Sequence, residues 1–405
     1  MRIAFVTVEF VADGTFHGGL ANYVYRIAKS LQAHGHSIAI FISSNRNLSS
    51  QFDGIEIYEV NTHIGSSVKA FNIITRDRLS TLSRLFWQSY MLNRMVKKCH
   101  KSGPFSIIQY TNLLGVGMLR PSSIPSVVRL SSYFDLMHKH GDYKTATKNF
   151  IRQMSQAEKI GIRRANAVFG PSAGIARYVE KDLHKQIAVI PSPFEEEKIS
   201  TSEEIYLSKL KGKQYLLFVG RICRLKGVFT IAEIIHPLLS KYKDLYFVFC
   251  GRDDPAGSEQ SVMSHVLHNA GEFRHRVMHL GTLPHHYLYP IISHAETIIL
   301  PSHIDNMPNA CIEAMMLRKI VIGTKGTGGF DELIADSENG FFCLPQDSQS
   351  LLSTIENVMA LSPAQKDSIG ESAYQSVQRL RPETVTKQHL KFYKSVLLTN
   401  GESER

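Results

Sequence analysis

Asp305 and Glu313 stand eight residues apart, on a stretch whose pattern gives both a place to work. Ile298, Ile299 and Leu300 read as the end of a buried strand, Pro301-Ser302 stops it, and Ala310–Met316 can open a helix. Such a strand–loop–helix sets both acids at the carboxyl end of a strand, where open α/β sheets bind ligands. The helix start adds backbone N–H groups suited to an anion. Acids beside an anion site fit a ligand with hydroxyls and phosphates together, such as a nucleotide sugar. An ordinary strand–loop–helix with a capping acid would look the same.

A second constellation follows the apolar run Tyr215–Val219. In Gly220-Arg221-Ile222-Cys223-Arg224-Leu225-Lys226-Gly227, Arg221 and Lys226 place two cations at a strand end. Arginine offers a planar fork to phosphate oxygens and lysine a mobile point charge, so the pair can neutralise a diphosphate leaving group. A solvated basic loop would share the pattern, but this one lies on the same sheet edge as Asp305 and Glu313. Gly18-Gly19 precedes the amphipathic run Leu20–His34 and could let backbone approach a phosphate at a helix start. It is not the G-x-G-x-x-G of a dinucleotide site. His265/His268 and His285/His286 are closely spaced, but no third ligand stands at a recognised metal interval. No P-loop or nucleophile elbow occurs.

These residues need a scaffold, and the rest of the chain supplies one. At 405 residues with 43% hydrophobic content, the chain is globular and long enough for two cores. Strand and helix patterns alternate from Ile3–Val8 to Ile187–Ile190, break at Pro191-Ser192-Pro193-Phe194 and the acidic run Glu195-Glu196-Glu197, and then alternate again. The expected fold is α/β: two Rossmann-like domains facing a central cleft. The boundaries are 1–192, 193–380 and a final helix over 381–405. The five cysteines are scattered without a C-x-x-C, as in a reduced compartment. Glu9 and Asp13 argue against a signal peptide, and no run reaches the ~18 apolar residues of a membrane span. The expected location from these residues is cytosolic, or peripheral to a membrane.

Charge is uneven. Residues 1–192 hold 24 Lys+Arg against 11 Asp+Glu, while 193–405 hold 22 against 25. The basic half invites an anionic partner: a membrane surface, nucleic acid or an acidic substrate. Lys69–Lys101 concentrates this charge between apolar and aromatic residues. It reads either as an amphipathic helix in an anionic headgroup layer or as a core helix with a basic outer face. The number of its apolar residues favours the core.

Gly220–Gly227 matches the G-R-x4-K-G motif, and Asp305–Glu313 the E-x7-E motif, of retaining glycosyltransferase family 4. The chain resembles that family strongly over about 215–345 and more loosely over 1–192. The resemblance implies the GT-B fold, with the C-terminal helix crossing back to the first domain. It implies metal-independent, retaining transfer of a sugar from a nucleotide-diphosphate donor, a UDP-sugar rather than a GDP-sugar, to a glycan or polyprenyl-linked acceptor. No cofactor is implied. By resemblance, Arg221 and Lys226 hold the diphosphate, Glu313 the ribose and Asp305 the transferred sugar. Met307, Pro308 and Asn309 line the sugar and phosphate, Gly18 and Gly19 close on the diphosphate, and Thr282 and Leu283 edge the base pocket. The family's first acid is Asp305 here. The place of its frequent N-terminal-domain His is Ser131, with His138 further on, and both are acceptor-side candidates. A bacterial surface-polysaccharide role (lipopolysaccharide, O-antigen or capsule) is expected, with an anionic membrane as partner and no nucleic acid. The resemblance narrows the expected location to cytoplasmic, at the inner face of the cytoplasmic membrane. The alternatives are a GT-B nucleotide-sugar epimerase and a non-catalytic nucleotide-sugar-binding subunit.

Overall fold

The computed structural model describes residues 1–11, 19–139, 146–194, 200–254 and 261–402, without the side chains at 67, 71 and 400–402. Gly18 and the run Glu195-Glu196-Glu197 lie outside the described residues. Two compact units form, Met1–Phe194 with Leu380–Arg405, and Glu195–Arg379.

Unit 1 is built on eight strands: β1 (Arg2–Thr7), β2 (Ser37–Ser44), β3 (Leu48–Phe52), β4 (Ile55–Asn61), β5 (Ile107–Thr111), β6 (Ser126–Arg129), β7 (Ala167–Gly170) and β8 (Ile187–Val189). Their order is β3-β4-β2-β1-β5-β6-β7-β8, parallel except for the antiparallel β3/β4 pair. β1 is apolar from Ile3 to Val6 and buried from Ile3 onward, as a parallel strand covered on both faces must be. Strand order reverses between β1 and β5.

The helix Pro382–Glu402 closes this unit, and its Val385, Tyr393 and Val396 join the core with Tyr23, Ile27 and Ile107. Buried polar groups are chained through it. Tyr393 donates to the Gln109 carbonyl oxygen, Gln109 Nε2 donates to the Tyr23 oxygen at 3.1 Å, and Tyr23 lies 2.9 Å from His389 Nε2. His389 Nδ1 lies 3.0 Å from the Val385 carbonyl, which can only accept. Nδ1 therefore carries the proton and Nε2 accepts from Tyr23. Thr386 Oγ1 donates to Ser30 Oγ at 2.7 Å.

Unit 2 has six parallel strands: β9 (Gln214–Val219), β10 (Leu245–Cys250), β11 (Val277–His279), β12 (Thr297–Leu300), β13 (Val321–Thr324) and β14 (Phe341–Cys343). The order is β11-β10-β9-β12-β13-β14. From β9 the chain winds outward through β10 and β11, then returns to place β12 on the other side of β9. The order thus reverses at β9/β12, the position at which doubly wound sheets open a binding crevice.

Two sequence readings are corrected. Lys69–Lys101 is not one helix: Ser66–Ile74 and Ser80–Ser102 are separate, divided where Arg76 and Asp77 take left-handed backbone angles. β3 also escapes the alternating pattern, because Leu48-Ser49-Ser50-Gln51 is an exposed edge.

His389 offers a test of the buried chain in unit 1. Burial, the main cause, pushes its imidazole down to about 4, with the Val385 carbonyl opposing and Arg129 adding. The unfolded imidazole binds a proton below about 6.5 that the folded one refuses until about 4. This contribution is complete above pH 6.5 and lost as pH falls toward 4, roughly 3 kcal/mol in all. His389→Gln is expected to flatten that acid limb, measured as melting temperature against pH from 7 to 4.

Candidate functional site

The reversal at β9/β12 decides which loops meet. Gly220–Gly227 leaves the end of β9, and Pro301–Pro308 leaves the end of β12. They are stitched by backbone. His303 N donates to the Leu225 carbonyl at 2.9 Å. Gly227 has φ 73°, caps the helix Val228–Lys241, and lies so close to Pro301 that a Cβ there would fall 1.9 Å from the Pro301 carbonyl oxygen. No side chain fits that space. A third loop, after β13, joins them: Asp305 N donates to the Thr327 carbonyl at 3.1 Å, and Gly329 N to the Asp305 carbonyl at 2.6 Å.

On this frame Lys226 Nζ forms an ion pair with Asp305 Oδ2. The pair is partly open, with side-chain exposures of 30% and 15%. Arg221 Nε pairs with Asp254 Oδ2 at 2.8 Å, and Arg252 approaches the other oxygen of Asp254 at 3.4 Å. The helix Asn309–Met316 begins directly after Pro308, which is buried, while Met307 and Asn309 are half-buried. Its first amides lie at the end of the loop that carries Asp305.

Glu313 is the fifth residue of that helix, one turn in from its start, and is buried. His285 Nε2 lies 3.7 Å from Glu313 Oε1, and the imidazole stacks on Tyr289 at 5.2 Å between centroids. His285 opens the helix His285–His294, two residues beyond Leu283; Thr282 is exposed and Leu283 half-buried. The structure thus brings Lys226 to Asp305 and holds Arg221 and Glu313 on partners of their own. Sequence reasoning missed Asp254 as the partner of Arg221 and considered His285 only as a metal ligand. Nothing local marks either pairing. Among the described residues, no group of three or more His, Cys, Asp or Glu could hold a metal ion.

In unit 1, Gly19 is the exposed first residue of the helix Gly19–Ala33. Ser131 follows β6. Its hydroxyl accepts from Arg129 at 2.9 Å, and its N–H donates to Asn112 Oδ1 at 2.8 Å. Arg129 is buried, donates to Ser192 Oγ at 2.8 Å and lies 3.6 Å over the Tyr23 ring. Asn112 also donates to Glu158 Oε1 at 2.9 Å, and Phe134 N donates to Oε2 at 2.7 Å. Burial pushes the Glu158 carboxyl up to about 8, against the pull of those donors. His138 sits elsewhere: its ring is parallel to Phe134, and its buried Nδ1 has no hydrogen-bond partner among the described residues. Ser131 is therefore placed at the end of β6, whereas His138 packs along its own helix.

Residues 17–198 match a family model described as Glycosyltransferase Family 4, and residues 202–376 one described as Glycosyl transferases group 1. The 2-deoxystreptamine N-acetyl-D-glucosaminyltransferase of Niallia circulans is 28% identical over 44% of this chain and 43% of its own length. The putative teichuronic acid biosynthesis glycosyltransferase TuaC of Bacillus subtilis is 25% identical over 59% and 58%. The matches thus span about half the length of these curated relatives. Sucrose-phosphate synthase from Thermosynechococcus elongatus superposes with a TM-score of 0.78 at 20% identity, over 98% of this chain and 99% of that one. WaaG, a glycosyltransferase involved in lipopolysaccharide biosynthesis, gives 0.69 at 16%, over 96% and 99%.

The stitched loops predict a contrast between two glycines. Gly227 and Gly326 share left-handed backbone, but a Cβ at Gly326 would meet nothing within 4 Å. Gly326→Ala should cost about 1 kcal/mol, the backbone term alone. Gly227→Ala should cost at least ~3 kcal/mol, because the Pro301 carbonyl must also move. Denaturant unfolding of the two variants, read on the midpoint, checks the difference.

Proposed function

We propose that this chain, which is of the GT-B glycosyltransferase family 4 type, moves a sugar from a nucleotide-diphosphate sugar to a glycan or polyprenyl-linked acceptor with retention at the anomeric carbon. The observation that carries the reading is the partly open Lys226–Asp305 pair. It sits on backbone-stitched loops at the strand reversal of unit 2, beside a helix start. A cation already positioned by a carboxylate can stabilise charge as it develops on a leaving diphosphate, with little reorganisation.

In this reading the donor diphosphate draws the Lys226 ammonium and the Arg221 guanidinium, each held in place beforehand by an acid. The helix start at Asn309 adds backbone donors to the phosphates, with Met307 and Pro308 lining the sugar. Asp305, sharing Lys226 with the phosphate, turns an oxygen to a sugar hydroxyl. Glu313 takes the ribose hydroxyls, with His285 restraining its carboxylate, and Thr282 and Leu283 edge the base. The acceptor oxygen attacks the anomeric carbon from the face that the diphosphate leaves. The bond from that carbon to the phosphate oxygen breaks, its electrons go to the diphosphate, and the acceptor proton passes to a phosphate oxygen. No step requires a metal or an added cofactor; a UDP-sugar is the proposed donor.

Unit 1 is the proposed acceptor side, with Ser131 at the end of β6 as its candidate residue. Its positive charge fits a lipid-linked acceptor at the inner face of an anionic membrane, in surface-polysaccharide synthesis. Among the described residues no helix is long and apolar enough to cross a membrane.

Incubating the protein with radiolabelled nucleotide sugars, with and without lipid extract, tests the activity. Acceptor-dependent transfer supports it. Isomerised donor alone would identify an epimerase, and binding without turnover a non-catalytic subunit. Lys226→Ala should lower turnover at least ~100-fold, the scale of losing one preorganised charge stabiliser, and a change of only a few-fold would remove Lys226 from the mechanism. Glu313→Gln should act chiefly on the donor KM.

A further inference from the structure

The basic helices of unit 1 enclose two adjoining hollows that the donor site does not use. The Ser80–Ser102 helix turns Leu85, Ser89, Leu92 and Val96 inward, which satisfies its core role. A second face of the same helix lines a hollow of about 540 Å³ with Leu82, Phe86, Trp87 and Tyr90, joined by Leu79 and Leu119. Ser83 also lines it. Next to it, sharing Leu79, is a hollow of about 430 Å³ lined by Arg76 and Arg78 with Ile74 and Thr75. Ile73 and Ile74 stand beside them, 77% and 80% exposed.

The arrangement is built rather than loose. The Arg78 carbonyl accepts from both Asn149 Nδ2 and Gln153 Nε2, and Leu82 N donates to Gln153 Oε1. Trp87 Nε1 donates to the His63 carbonyl at 2.8 Å, which fixes the indole edge. From Ser66 to Ser102 the chain holds eight Lys+Arg and the single acid Asp77. Arg76, Arg78, Arg84, Arg94, Lys97 and Lys98 are all exposed.

An apolar chamber opening beside paired arginines, flanked by two isoleucines held out in water, has the chemistry of an amphiphile site. Hydrocarbon gains by leaving water for the chamber, and guanidinium groups bind phosphate in fork geometry. We propose that this place binds an anionic phospholipid of the bilayer. One hydrocarbon chain lies along Leu82, Phe86, Trp87 and Tyr90, the headgroup phosphate rests on Arg76 and Arg78, and Ile73 and Ile74 dip into the interfacial layer. The inference rests on the membrane reading above and gives it a location. The charge excess selects a lipid surface over an apolar protein partner: Arg76 and Arg78 line the second hollow, six cations between Arg76 and Lys98 are exposed, and each cation near an anionic leaflet adds to binding.

Trp87 is the chain's one tryptophan and lines the apolar hollow, so it reports on its occupant. The full chain is titrated with vesicles of phosphatidylglycerol and phosphatidylcholine, with and without bromine on the acyl chains, and with phosphatidylcholine alone. Co-sedimentation is measured in parallel. The proposal expects a blue shift of Trp87 emission and quenching by the brominated chains, with the anionic vesicles only. Arg76→Ala with Arg78→Ala should weaken vesicle affinity roughly 30-fold, at about 5-fold for each cation lost near the surface. Ile73→Ser with Ile74→Ser, at positions already in water, should weaken it without altering the melting temperature.

Co-sedimentation with an unresponsive Trp87 would overturn this site while leaving membrane attachment standing. No co-sedimentation with any vesicle would overturn both. Equal quenching by brominated phosphatidylcholine alone, which carries a phosphate but no net charge, would overturn the selection for an anionic lipid. A Trp87 response to polyprenyl diphosphate in detergent but not to phospholipid would replace the bilayer lipid with the acceptor.

Discussion

The candidate donor site depends on one steric fact: the backbone at residue 227 rests against the carbonyl of Pro301 with no room between them for a methyl group. That contact exists because β12 returns to lie beside β9, so the loops leaving their carboxyl ends run together. The His303–Leu225 bond then fixes their register. Lys226 immediately precedes the contact and Asp305 lies four residues beyond Pro301. Their ion pair is a consequence of the backbone arrangement rather than its cause. A surface pair of this kind contributes little to stability by itself. In the proposed reaction its value is in position, because a charge held in place needs no reorganisation when negative charge appears nearby.

Unit 1 is organised differently. Its core is closed by a helix from the far end of the chain, and the polar groups this buries are all linked: Tyr393 to Gln109, Gln109 to Tyr23, Tyr23 to His389 and His389 to Val385. Arg129 lies against the same tyrosine with hydroxyls of Ser131 and Ser192 on its guanidinium. A buried guanidinium must be paid for by its contacts, and these reach into the Ser131 loop. Glu158 holds the same loop from the other side through Asn112 and Phe134. The loop is therefore an extension of the polar core, joined to the final helix by contacts through Tyr23 and Arg129.

Much of this was legible in the sequence, for reasons that differ by element. The two α/β alternations are read from apolar runs such as Ile3–Val6 and Ile298–Leu300, because parallel strands covered on both faces have nothing polar to alternate with. The strand β3 has no such run. Its signal was the turn after it, Asp53-Gly54, where both residues take positive φ between β3 and β4. The break at Arg76 and Asp77 left no glycine or proline to mark it. Leu85, Leu92 and Val96 of the basic segment are packed, as its core reading expects, whereas Ile73 and Ile74 are exposed. Ile73 and Trp87 stand fourteen positions apart, one on each of the two helices that the break divides.

The same logic accounts for the uneven resemblance along the chain. In unit 2 the site is shaped where backbone meets backbone, at Gly227 on Pro301 and at Gly329 beside Asn306. Contacts of that kind admit only glycine, so they fix residue types at fixed spacing and leave a motif. In unit 1 the Ser131 loop is held by side chains: an amide from Asn112, a carboxylate from Glu158 and a guanidinium from Arg129. Many combinations of donors and acceptors satisfy such a loop, and their members lie tens of residues apart in the chain. Such a network writes no compact pattern. The proposed donor side is built in the first way and the proposed acceptor side in the second.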